Sequence, residues 1–372
     1  MSMFQRRSFA LTSAIRSRPN GRRLLRRGLA VHSPITPSGA AKSFSIPIID
    51  FSKYIYATSI AEKRRTADEI VNGFKEAGFI YLYGHGIPLS DIDNVYKKSA
   101  QFFALPSEVK DKLAWEDPRS NRGYVKIGRE RVTQSDDPDE IAALRAKAPD
   151  YKETMEIGRD WDETWKNQWP QESDVPAFRE TMMHFFQTCH DLHKQVMGSI
   201  ALGLDLDEMF FQDKIHEQYH NLRLLSYPSI KTSLLREHGQ ARAGAHSDYG
   251  TLTLLFQDSV GGLEVQNPHT KEFQPAHPHS GTIVVNAGDL LARWSNDVLR
   301  STLHRVVAPP SLKISETESI TPSRQSIAFF CNPNGGAEIS CLPTCYGPGN
   351  EKKYPSVTTE DYIVGRLSAT YT

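Results

Sequence analysis

The sequence predicts a mainly β fold with flanking helices: a sandwich or barrel core, of which the jelly roll (double-stranded β-helix) is the version able to hold a metal at its open mouth, preceded by a helical N-terminal region. Two observations carry this. From about residue 219 the chain breaks into short β-rich runs separated by Gly, Pro and Asn: Asn221–Tyr227, Thr251–Gln257, Gly262–Gln266, Thr282–Asn286, Leu303–Val307 and Gln325–Phe330. Evenly spaced short strands with such turns make a sandwich or barrel. Ahead of them, Phe178, Met182, Phe185, Cys189, Leu192, Val196 and Ile200 recur at steps of three and four, the spacing of one long helix with a single buried stripe. A chain of 372 residues suffices for one large domain or two small ones, and the texture divides it at 1–45, 46–200 and 201–372.

The zero net charge conceals an asymmetry. Residues 1–49 hold eight Arg and one Lys but no acidic residue, so the 44 acidic and 35 remaining basic residues leave 50–372 at −9. An Arg- and Ser-rich, acid-free segment with Phe9, Leu11, Ile15, Leu24, Leu25 and Leu29 interspersed has the composition of a mitochondrial transit peptide. The expectation is a matrix protein, with processing near Arg26–Ala30 and a linker over His32–Ser45. The alternatives are a basic disordered arm that touches nucleic acid or acidic lipid and a start codon assigned too far upstream, with the cytoplasm as the alternative location.

Next, Ile46–Phe51 reads as a short strand and Glu62–Ala77 as a helix stopped by Gly78. Phe79–Tyr83 reads as a strand, and Ser90 as the cap of a helix running to about Phe103. Within the long helix, His190-Asp191-Leu192-His193 mimics a metal motif, but both histidines flank the apolar stripe and are expected at the surface. Gly288-Asp289, before Leu290-Leu291, is expected to form a tight turn feeding the next strand, and His85-Gly86 to be structural. Pro309–Pro322 is polar and reads as a flexible loop able to fold over a site entrance. No run approaches the roughly 18 apolar residues of a membrane span. The four cysteines, Cys189, Cys331, Cys341 and Cys345, suggest no disulfide framework. Cys341 and Cys345 lack the second Cys pair a zinc site needs, and a reduced compartment fits.

The chemistry-bearing pattern is His246-Ser247-Asp248 followed by His304. Residues i and i+2 of a strand project to one face, so His246 and Asp248 can bind one ion from a strand end while a neighbouring strand brings His304. Two imidazoles and one carboxylate leave positions open on a non-haem Fe(II) for a co-substrate and O2. Alone the triplet is weak, since a His-x-Asp arises by chance in a chain with thirteen histidines.

Its context is specific. Ile46-Pro47-Ile48-Ile49-Asp50-Phe51, Gly78-Phe79, His85-Gly86-Ile87-Pro88, Phe102-Phe103-Ala104-Leu105-Pro106, Arg122-Gly123-Tyr124, Asp150-Tyr151-Lys152-Glu153, Leu222 to Pro228, Gly288-Asp289 and Arg324-Gln325-Ser326 surround it in order. Together these resemble the isopenicillin-N-synthase-like branch of the Fe(II)/2-oxoglutarate-dependent dioxygenases. The resemblance implies Fe(II) on His246, Asp248 and His304, with 2-oxoglutarate and O2 as co-substrates. It also implies that a small-molecule substrate is hydroxylated or desaturated as succinate and CO2 are released. Arg324 suits the distal carboxylate because guanidinium is a planar fork; Ser326 faces the same way, and the resemblance adds the Tyr227 hydroxyl.

By rough correspondence of position, the resemblance also implies Tyr124, Arg129, Arg131, Arg223 and Phe330 as substrate-facing, with Arg223 or Arg129 able to meet an acidic substrate or to serve as a surface ion-pair partner. Two departures stand out: Leu225, where many plant members carry Asn, and the long spacing between His304 and Arg324. Two alternatives share the scaffold, a 2-oxoglutarate-independent oxidase and a non-catalytic ligand-binding relative. With the basic segment removed, the acidic remainder shows no nucleic-acid groove, and neither a membrane span nor an obligate protein partner is evident.

Overall fold

Alternation of side chains across extended strands builds the core. The computed structural model describes residues 44–115, 117, 120–129, 143, 150–236, 241–309 and 319–371. Its strands are β1 (Ile48–Asp50), β2 (Phe79–Tyr83), β3 (Gly123–Val125), β4 (Glu153–Gly158), β5 (Asn221–Tyr227), β6 (Ile230–Lys231), β7 (Ala243–His246), β8 (Leu252–Gln257), β9 (Leu263–Gln266), β10 (Phe273–Pro275), β11 (Thr282–Ala287), β12 (His304–Val306), β13 (Ile320–Thr321), β14 (Arg324–Cys331), β15 (Glu338–Ile339) and β16 (Val357–Thr358). The helices are α1 (Ser52–Ile55), α2 (Ile60–Glu76), α3 (Leu89–Phe103), α4 (Ser107–Asp111), α5 (Phe178–Gly203), α6 (Gln212–Ile215), α7 (Asp289–Trp294) and α8 (Thr359–Tyr371).

Eight strands form one sheet in the order β1-β2-β11-β8-β14-β5-β4-β3, and four form a second, β10-β9-β12-β7. The two make the jelly roll. The larger sheet is amphipathic in a particular sense: both faces are buried, against different partners. Outward residues Ile80, Leu82, Met155, Ile157, Leu222, Leu224, Leu252, Leu254, Ile283, Val285, Ile327 and Phe329 join one apolar cluster with the stripes of α2, α3 and α5. Inward residues Phe79, Tyr81, Leu225, Tyr227, Val284 and Ala328 join a second cluster with Ala243, Leu263, Val265 and Val306 of the smaller sheet. The N-terminal half therefore contributes β1 to β4 to the main sheet as well as helices to its outer face. Among the described residues no helix is long and apolar enough to cross a membrane.

Several expectations change here. His190 and His193 are buried, not solvent-facing, because α5 is covered on more than its apolar stripe: β5 and β8 bring His220 and Thr251 against it. Gly288-Asp289 feeds α7, not a strand. Helix α3 starts at Leu89 after Pro88 with no side-chain cap, and the Ser90 hydroxyl turns to Asp91. The strand expected at Leu303–Val307 is confined to His304–Val306. Arg131 and positions 310–318 of the expected entrance loop lie outside the described residues; Ile320–Thr321 pairs with β6.

Gly78 joins α2 to β2 and needs its missing side chain. Its φ is +72°, and a Cβ would lie 2.6 Å from the Arg300 carbonyl and 2.3 Å from Thr302 Oγ1, just ahead of β12. Gly78→Ala is expected to cost about 1–3 kcal/mol, read as a lower urea midpoint at unchanged slope.

Candidate metal and co-substrate site

The antiparallel register of β7 and β12 sets His246 directly opposite His304, with ring centroids 4.3 Å apart. Asp248 follows two residues beyond the end of β7. Its Oδ1 lies 3.8 Å from His246 Nε2 and 3.7 Å from His304 Nε2, so one donor atom from each residue faces a common point. The other atoms are fixed. His246 Nδ1 donates to Gly244 O at 2.7 Å and His304 Nδ1 to Thr302 O at 3.3 Å, which leaves both Nε2 lone pairs for a ligand-accepting ion. Asp248 Oδ2 accepts from Thr253 Oγ1 at 2.5 Å and Asn286 Nδ2 at 2.8 Å.

For His246 and Asp248, electrostatics support the same protonation states. Burial, followed by the neighbouring His304, takes His246 down to about 3. Burial alone would raise Asp248, but His304, His246 and the Asn286 and Thr253 hydrogen bonds hold it below the ordinary carboxylate range. Two neutral imidazoles and a carboxylate fit Fe(II).

The cavity runs from these residues between the sheets to Arg324 and Ser326, past Leu225, Tyr227, Asn286 and Phe330. Arg324 is 1 % exposed. Its Nη1 donates to Ser326 Oγ at 3.1 Å and its guanidinium packs on the Tyr227 ring, 4.9 Å from the centroid. Its Nε and Nη2 have no hydrogen-bond partner among the described residues. A buried guanidinium with open donors is costly unless an anion fills the place.

Of the substrate candidates, Arg223 and Phe330 reach the cavity and lie 5.2 Å apart, cation to ring centroid. Arg223 also pairs with Glu156 across β4 and β5, Nε to Oε1 at 2.7 Å; Thr154 and Asn221 donate to the same carboxylate. Tyr124 is not brought there. It sits opposite Met155 in the β3–β4 register and so shares the outer, helix-packed face, donating to Glu153 at 2.7 Å. Arg129 is exposed, its guanidinium 5.3 Å from the Trp115 ring centroid.

Sequence reasoning assigned no role to four residues the site uses. Thr253 and Asn286 orient Asp248. Lys152 lines the cavity and pairs with Asp150 at 2.8 Å, while Asp150 accepts from Gly244 N, the residue whose carbonyl holds His246. Thr253 and Asn286 are visible in the sequence as lone polar residues among apolar strand neighbours.

A second histidine group, His190, His193 and His220, also brings nitrogens together. Asn332 N donates to His220 Nδ1 at 3.0 Å, so neutral His220 carries its proton on Nε2 and donates it to His190 Nδ1 at 3.0 Å. Thr251 Oγ1 donates to Cys331 O and accepts from His193 Nε2 at 3.2 Å. A metal on His220 Nε2 would demand an imidazolate, so this group is a buried hydrogen-bond network.

The fold and the donor set define a non-haem Fe(II)- and 2-oxoglutarate-dependent dioxygenase. The chain belongs to the 2OG-Fe(II) oxygenase superfamily, which it matches over residues 219–333, while residues 46–172 match the family described as non-haem dioxygenase in morphine synthesis N-terminal. It is 34% identical over 337 residues to the 2-oxoglutarate-Fe(II) type oxidoreductase ppzD of Metarhizium majus, covering 87% of this chain and 94% of that one. It is 36% identical over 298 residues to the proline hydroxylase buaE of Petromyces alliaceus, covering 79% and 90%. Among solved structures it is similar to a full-length Neurospora crassa protein in complex with alpha-KG and thymine, at 47% identity, TM-score 0.79 and coverage of 88% and 97%. The same Neurospora protein has also been solved with alpha-KG and 5-formyluracil.

Asn286→Ala, which frees one side of Asp248, is expected to weaken Fe(II) binding about 10- to 100-fold, measured by anaerobic metal titration. The histidine network yields a second expectation. Burial takes His193 to about 3 and His190 to about 4, below their ordinary 6.5. The unfolded chain then binds more protons than the folded one, so this contribution is intact above 6.5 and is lost as pH falls toward 3. His193→Gln should flatten the acid limb of a stability-versus-pH curve; an unchanged limb counts against it.

Proposed function

We propose that this dioxygenase oxidises a small planar heterocycle of the pyrimidine-base class. The observation that carries the reading is the Arg223–Phe330 pair in the wall of the metal-bearing cavity. An aromatic face stacks a flat ring, and a guanidinium edge donates to its carbonyl oxygens. The similarity to the Neurospora protein, solved with thymine and with 5-formyluracil, supports the same class. In this reading His246, Asp248 and His304 hold Fe(II). Arg324, Ser326 and Tyr227 hold the distal carboxylate of 2-oxoglutarate, and Arg223 and Phe330 hold the substrate. Bound iron and 2-oxoglutarate supply the oxidising chemistry; the chain orients both and keeps the reacting region dry.

Succinate release tests the proposal, with free pyrimidine bases, their nucleosides and free proline compared side by side. Release coupled to thymine or a 5-substituted uracil is expected. Coupling to proline alone would transfer the reading to the class named for the Petromyces relative, and turnover without 2-oxoglutarate would favour the oxidase alternative. Phe330→Ala should lower kcat/KM roughly tenfold or more through lost stacking. Arg324→Ala should weaken 2-oxoglutarate binding by about 3 kcal/mol, read from the anaerobic charge-transfer band.

On composition alone, we also propose that residues 1–45, with eight Arg, one Lys and no acidic residue, direct the chain to the mitochondrial matrix. A fluorescent protein fused behind this segment should collect in mitochondria; diffuse cytoplasmic signal would end the idea.

A further inference from the structure

A second buried guanidinium stands behind the far end of the cavity. Arg242 is fully buried beside Arg324, and its guanidinium lies 5.9 Å from the centroid of the same Tyr227 ring. Its backbone N–H donates to Val306 O at 2.9 Å. Its Nη2 donates to Pro228 O at 3.2 Å and to Pro322 O, carbonyls just outside the register pair Tyr227–Arg324. Arg242 Nε and Nη1, like Arg324 Nε and Nη2, have no hydrogen-bond partner among the described residues. Burial first, and then the charge of Arg324, pull Arg242 down to about 10, so it remains a cation at neutral pH. Asp258 is the acidic group whose field reaches Arg242, and its oxygens accept from the backbone N–H groups of Gln325 at 2.6 Å and Val260 at 3.0 Å and not from either guanidinium. Two buried cations side by side, one of them with open donors at the cavity wall, are unfavourable until an anion arrives.

We propose that Arg242 is a positioning residue for the co-substrate: standing behind Tyr227 and Arg324, its charge selects a keto acid carrying a second carboxylate over one without it. Arg242 does not line the cavity; it acts through the field and through the two residues it backs. The proposal rests on the assignment of Arg324 to the distal carboxylate, which Arg324→Ala tests separately.

The experiment is an anaerobic charge-transfer titration of the Fe(II)-loaded full chain with 2-oxoglutarate and with 2-oxobutyrate, which has the same keto-acid head and no second carboxylate. Arg242→Gln is expected to raise the Kd for 2-oxoglutarate roughly tenfold and to leave that for 2-oxobutyrate within about twofold, which a merely structural role would not do. Arg242→Lys keeps the charge and loses the fork, so it should hold the 2-oxoglutarate Kd within about threefold. Equal weakening of both ligands, or of neither, overturns the inference while leaving Arg324 in place. An Arg324→Ala variant with unchanged 2-oxoglutarate affinity overturns the anion-site assignment itself. If Arg242→Gln does not fold, Arg242→Lys decides: a tenfold loss of preference despite the retained charge overturns the proposal.

Discussion

Strand β14 pairs along one edge with β5 and along the other with β8, and the site depends on that double register. Its inward residues Arg324, Ser326, Ala328 and Phe330 line the cavity from the anion end to the substrate wall. Its outward residues Ile327, Phe329 and Cys331 pack under α5. A slip of one residue would exchange the two sets, placing Phe329 at the cavity and a guanidinium against the helical layer. Phe185, Phe186 and Met182 of α5 belong to the apolar cluster that holds the outward set. The helical layer thus contributes no ligand atom, yet it decides which face of β14 meets the chemistry.

The same logic explains why the cavity is polar at both ends and apolar along its sides. At one end a carboxylate is kept ionised inside the protein by two side-chain donors, Thr253 and Asn286. At the other, guanidinium groups are held with donors unspent. Leu225, Leu255, Leu263 and Val306 line the space between. An interior of low dielectric strengthens each charged end, and the separation keeps the two from neutralising each other. An elongated ligand that can bind a metal with one end and present a carboxylate at the other satisfies both.

Much of this was readable in the residues. His304, Arg324 and Ser326 follow from the family resemblance and the chemistry it implies, while the β-rich runs, the long helix and the shared face of His246 and Asp248 follow from period-two and period-three-to-four spacing. They fall where the pattern places them because a strand has only two faces. What stayed hidden was tertiary. Nothing in His190-Asp191-Leu192-His193 reveals that β5 and β8 cover the far side of α5, so residues beside the stripe looked exposed. Tyr124 looked like a cavity residue until its pairing with Met155 showed which face of β3 it occupies. Arg242 stands four residues before His246 with no sequence feature that separates it from a surface arginine; only the meeting of two strand ends encloses it. Asp289 reads in the sequence as part of a turn, and its carboxylate proves to be a junction.

That junction has a mechanical meaning. Asp289 accepts hydrogen bonds from Ser247, which lies between two of the converging donors, from Ser301, which leads into the third, and from Tyr362 in α8. One carboxylate so ties the segments carrying His246, Asp248 and His304 to a helix remote from them in sequence. The metal-binding end of the jelly roll is braced from outside the sheets, and whatever loosens α8 slackens the three donor segments together.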